Sequence, residues 1–130
     1  LLVFGYHGKL VKLAGGIFHT HHHLADGRLE VIAALAAKQG LAIEIIQSLL
    51  KADSIEAAFL FLKSKNPVMA KQLWNNLAFE VENRSTAYIR RYGSWPIKVG
   101  GALFDRQRKV RWLGPLGNQQ LTSLGATFFT

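Results

Sequence analysis

The chain has 130 residues, 49% of them hydrophobic, which suits one domain with a buried core and argues against disorder. It contains no cysteine, which excludes disulfides and thiolate metal sites, and no apolar run reaches the roughly 20 residues a bilayer-spanning helix needs. Sixteen Lys and Arg against eight Asp and Glu give a net charge of +8, a field that draws nucleic acid, acidic membranes or small polycarboxylates.

Residues 1–6 are apolar with no basic stretch before them, and they read as a buried parallel strand, not a signal peptide. His7-Gly8 is the expected turn, and residues 9–14 a short helix ended by Gly15-Gly16. After an extended link at 17–19, Thr20 is the expected N-cap of a long helix to about residue 38, with Gly40 as its stop. Ile43, Ile46 and Leu50 recur at helical spacing. Asp53 and Glu56 have the form of a capping box opening a helix to about residue 64. Asn66-Pro67 supplies a cap and a proline at the first helical position. Ala70, Trp74, Leu77, Val81, Ser85 and Tyr88 then predict one helix over 67–91.

Gly93 and Pro96 break that pattern, and extended runs at 97–104 and 109–113 flank Asp105-Arg106-Gln107-Arg108, a hairpin with a solvated tip. Residues 114–130 are weakly patterned and predict a weakly structured tail. The expected class is α/β: a partial, mostly helical layer fold with a parallel strand at the N-terminus and a β-hairpin near the C-terminus. So small a sheet cannot cover so many helices, and the chain does not begin with Met. Residues 1–113 therefore read as one domain cut from a larger protein.

Gly8, Lys9, Lys12, Gly15 and Gly16 follow a strand and span a helix, the setting in which open α/β sheets hold anionic ligands. Lys9 and Lys12 share a helical face. The spacing is neither a Walker A loop nor a GxGxxG fingerprint, and a turn glycine with two solvated lysines remains the alternative. In His19-Thr20-His21-His22-His23 only His19 and His23 have the i, i+4 spacing of a helical metal pair, and no second ligand cluster follows; no metal site is expected. On the wheel of the following helix, His22, His23, Asp26 and Glu30 form a polar stripe, while Leu24, Ala25, Leu29, Val31, Ile32, Leu35 and Ala36 form the apolar face. His21 and Arg28 project from that apolar face, so each needs a partner, either an ion-pair network or a ligand. No serine elbow and no glycosidase-like carboxylate pair is present. The basic residues are scattered without a recognition motif, which makes a nucleic-acid-binding module only the second reading.

The run from Gly8 to His21, followed by Ala25-Asp26-Gly27-Arg28-Leu29-Glu30, resembles the signature stretch of the CbiD family, cobalt-precorrin-5B C(1)-methyltransferases of the anaerobic cobalamin route. Gly8, Lys9, Leu10, Lys12, Leu13, Ala14, Gly16, Thr20, His21, Ala25, Asp26, Arg28 and Glu30 carry the resemblance, which extends more weakly over 88–105. His22-His23 and Gly27 depart from the family's usual residues. The resemblance implies a cytoplasmic enzyme that takes a methyl group from S-adenosyl-L-methionine to an anionic tetrapyrrole, with cobalt carried only inside the substrate. It further implies His21 and Asp26 as catalytic candidates, and Gly8, Lys9, Lys12, Gly15, Gly16, Thr20, Arg28 and Glu30 as substrate- or cofactor-binding candidates. By the same resemblance the chain is the C-terminal part of a two-domain protein, inactive without its N-terminal domain.

Overall fold

A computed structural model describes residues 1–16, 27–93 and 97–124. Strand β1 (Leu2–Tyr6) runs straight into helix α1 (His7–Ala14), and α2 (Arg28–Gln39), α3 (Ile43–Leu50), α4 (Ile55–Lys65) and α5 (Pro67–Arg90) follow. Strands β2 (Gly100–Phe104) and β3 (Val110–Leu113) and helix α6 (Pro115–Ser123) close the described chain. The sheet order is β1-β2-β3, with β1 parallel to β2 from Leu2 opposite Gly100 to Tyr6 opposite Phe104. β3 returns antiparallel to β2, with an irregularity at Leu103/Phe104. Helices α1 to α5 all lie within the connection between two adjacent parallel strands, so the α/β layer fold and the hairpin are as expected.

Helix α5 organises the core. Ala70, Leu73, Trp74, Leu77, Ala78 and Val81 recur every three or four residues along it and are fully buried against α1, α2, α4 and the sheet. Asn66 caps it, its side chain accepting from the Met69 N–H, and Pro67 occupies the first turn. Strand β2 is covered on both faces. A side chain at Gly101 would meet Ala78 and Glu82 of α5, whereas one at Gly100 would meet Gly117 and Gln120 of α6.

Several expectations change. No separate turn divides β1 from α1: Tyr6 is extended and His7 is already helical. Helix α2 starts at Arg28, because Gly27 takes a left-handed φ of 69° that a continuous helix cannot contain; Thr20 lies outside the described residues. The α3 stripe is reversed in part, with Leu49 buried and Ile43 65% exposed. The α4 cap is Ser54, which accepts from the Ala57 N–H, and not Asp53.

Residues 115–123 form a helix where a weakly structured tail is the expectation. Its cap comes from far away in sequence. The buried Glu82 carboxylate accepts the Gly101 N–H at 2.8 Å, the Leu116 N–H at 3.2 Å and the Gly117 N–H at 2.6 Å. One α5 side chain thus extends the ladder of β2 and neutralises the first turn of α6. No helix among the described residues is long and apolar enough to cross a membrane.

Candidate functional site

The site expected from sequence lies at the carboxyl end of β1, where the chain enters α1. The Arg28 guanidinium at the start of α2 reaches back to this corner and donates to the Gly8 carbonyl at 3.2 Å. Arg28 is half-buried, and Lys9 beside Gly8 is exposed. The first turn of α1 carries no acidic residue of its own and Tyr6 makes no side-chain cap, while the Glu56 carboxylate reaches His7 from α4. Gly8 itself has a packing reason: a Cβ there would stand 2.5 Å from the Tyr6 ring.

Beneath this corner lies a polar group that sequence reasoning missed. His7 is fully buried, ringed by Tyr6 (4.7 Å between centroids), Trp112 (5.0 Å), Trp74 (6.3 Å) and Phe59 (6.4 Å). The Trp74 indole N–H donates to His7 Nδ1 at 2.9 Å, and Nε2 lies 2.5 Å from the Glu56 carboxylate. An indole nitrogen only donates, so Nδ1 must keep its lone pair and the ring proton sits on Nε2, donated to Glu56. The contact is therefore a hydrogen bond from a neutral imidazole to a carboxylate, and not an ion pair. Burial holds the His7 pKa below its ordinary 6.5, outweighing the upward pull of Glu56. So enclosed a ring exchanges no proton with a ligand. It positions: one imidazole ties the start of α1 to α4 and α5.

Asp105 is the second missed group. It is buried at the end of β2, and its Oδ1 accepts the Gln107 N–H at 2.9 Å and the Lys109 N–H at 3.1 Å. Oδ2 accepts the Arg111 Nε–H at 2.6 Å. Burial pushes this carboxyl up, but the bonds from Lys109, Arg111 and Gln107 outweigh it and hold the pKa below 3.8. The expected solvated tip is thus solvated only from Arg106 to Lys109, and Asp105 pins it from inside.

Of the residues expected at the site, the structure brings Arg28 to Gly8 and keeps Lys9 beside them. Lys12 is half-buried further along α1, and Glu30 is exposed on α2. Gly15 and Gly16 end α1, Gly16 with a φ of 78°, about 10 Å along the axis from Gly8. His21, Asp26 and Thr20 lie outside the described residues, as do the remaining residues of the histidine run and Trp95. Among the described residues no group of three His, Cys, Asp or Glu could hold a metal. His7 carried a readable signal, a histidine between an apolar strand and a glycine. Its partner Glu56 was read only as half of a capping box.

A parallel strand feeding a helix whose first turn is clasped by an arginine defines an α/β domain. Comparison with known proteins narrows this. Residues 19–115 match the family model described as "CbiD, C-terminal domain", and the chain belongs to that family. It is 62% identical, over 98% of its length, to a protein named cobalt-precorrin-5B C(1)-methyltransferase from Prochlorococcus marinus (strain MIT 9313), of which it covers 33%. It is 56% identical to one of the same name from Synechococcus sp. (strain CC9902), with 95% of this chain and 34% of that protein covered. The chain thus spans about a third of the length of these relatives. No solved structure matches it.

Proposed function

We propose that this chain works as the C-terminal third of an S-adenosyl-L-methionine-dependent methyltransferase that methylates C-1 of cobalt-precorrin-5B in cobalamin synthesis. The observation that carries the reading is 62% identity along nearly the whole chain to a protein of that name. It favours this reading over a basic nucleic-acid-binding module.

The donor, when bound, supplies a methyl group on a sulfonium that is already electrophilic, and cobalt belongs to the substrate. What this chain's residues contribute is then alignment and charge matching. Arg28 and Lys9 are cations at one corner, Arg28 held on the Gly8 carbonyl and Lys9 exposed beside it, and they suit a carboxylate of either the donor or the tetrapyrrole. Thr20, His21 and Asp26 lie on the segment between α1 and α2 and complete the proposed contact set, with His21 and Asp26 the proton-handling candidates. Lys12 and Glu30 are the remaining binding candidates. Gly8, Gly15 and Gly16 serve by shaping α1. The part of the relatives that lies upstream of this chain supplies the remainder of the site.

The test is methyl transfer by the full-length protein. Cobalt-precorrin-5B and donor carrying a labelled methyl group should yield product labelled at C-1, read by mass spectrometry and NMR. The chain by itself should yield none. Arg28→Ala in the full-length protein should lower kcat/KM by about 10- to 100-fold, the scale of a lost charged contact. Absence of labelled product from the unaltered full-length protein refutes the activity, and normal turnover by Arg28→Ala refutes this corner.

A further inference from the structure

A concavity whose lining includes neither Lys9 nor Arg28 has no role in the reading so far. Its volume is 1240 Å³, and it lies between α4, the first half of α5 and the β3 side of the hairpin. Lys63, Lys71, Arg108, Lys109 and Arg111 line it, and no Asp or Glu does. Among the described residues only Arg111 of these five is ion-paired, to Asp105. Four further cations therefore face one concavity without a carboxylate to offset them, an arrangement that favours a bound polyanion.

Part of its wall is aromatic. Phe4 is 54% exposed and Phe79 46% exposed at its margins, while Phe59 and the buried Trp112 stack edge-to-face at 4.9 Å deeper in. Exposed aromatic surface beside a cationic rim fits a ligand with a broad apolar body and several acids at its edge. Sites for drug-sized molecules occupy about 300–1,000 Å³, and this cleft exceeds that range, so it has room for a macrocycle.

The geometry points to this cleft as the seat of a planar polycarboxylate macrocycle: the aromatic wall takes the ring, and Lys63, Lys71 and Lys109 take its peripheral acids. The inference rests on the proposed tetrapyrrole reaction and deepens it by assigning the substrate's body to the cleft lined by Lys63, Lys71 and Lys109.

Titrating the full-length protein with uroporphyrin, an octacarboxylate ring, while following its absorption band and tryptophan fluorescence, tests the assignment without turnover. The unaltered protein should bind the porphyrin, and K63E/K71E should weaken binding at least tenfold. K38E/K51E makes the same change in net charge on α2 and beside α3, and should leave affinity within about twofold. Equal binding by K63E/K71E and the unaltered protein, equal weakening by the remote pair, or no binding at all overturns the assignment. The two proposals fail separately. Methyl transfer with cleft-independent porphyrin binding leaves the reaction standing and removes the cleft; cleft-dependent binding without methyl transfer does the reverse.

Discussion

Trp74 on α5 donates its indole proton to Nδ1 of His7, the first residue of α1, at 2.9 Å and with both side chains fully buried. The bond fixes the imidazole tautomer, since a ring protonated on Nδ1 would meet the indole N–H donor to donor. Nitrogen NMR of the protein should show His7 as the neutral Nε2–H form across the neutral range. Trp74→Phe leaves Nδ1 buried without a donor and should cost about 1–3 kcal/mol in denaturant unfolding. A protonated His7 at pH 7 would refute the tautomer.

Acid should weaken the fold in two stages. The folded pKa of His7 lies below 6.5, so as pH falls through 6.5 the unfolded chain takes up a proton that the folded chain resists, and stability drops. Asp105 adds a second loss as pH falls below 3.8, where the unfolded carboxyl protonates before the folded one. Urea midpoints between about pH 8 and pH 5 should fall more for the native protein than for His7→Gln, which lacks the first group. Parallel pH profiles would sink the assignment.

Glu82 holds three backbone N–H groups with one carboxylate, and glutamine cannot do the same. Its single oxygen leaves at least one N–H unmet and turns an NH2 toward it. Glu82→Gln should therefore destabilise by about 1–3 kcal/mol, with amide exchange accelerated first at Gly101, Leu116 and Gly117. Unchanged protection there would mean that water replaces the carboxylate without cost.

Gly117→Ala sets two effects against each other. Alanine gains about 1 kcal/mol of helix propensity over glycine. Its Cβ, however, would stand 2.2 Å from the Gly101 carbonyl oxygen, and backbone on both sides leaves no flexible end to give way. Overpacking of this kind costs about 1–3 kcal/mol or more, so the steric term wins and the melting temperature should fall. A rise would show that α6 does not sit this close to β2.

Much of the frame was written locally. Asn66-Pro67 with its apolar spacing specified the cap and length of α5, and the runs around Asp105 specified the hairpin, because caps and periodicity act over a few residues. The signature from Gly8 to Glu30 likewise points to the family from sequence alone. Where local signals competed, the sequence misled. Asp53 and Ser54 are both good caps, and it is Ser54 that accepts the Ala57 N–H. Ile43 and Leu49 are both apolar, and only the neighbours of α3 decided which faces inward.

What the chain order alone determined, then, is most of the helices and strands, though not α6, and which family's residues they carry. Tertiary structure alone decided that His7 meets Glu56 and Trp74 across 49 and 67 residues of sequence, and that Glu82 caps a helix 34 residues away. It alone gathered Lys63, Lys71 and Lys109 around one cleft. The reason is physical: a buried polar group must find its partner wherever the fold brings one within about 3 Å, and such a partner leaves no mark in the spacing of either residue.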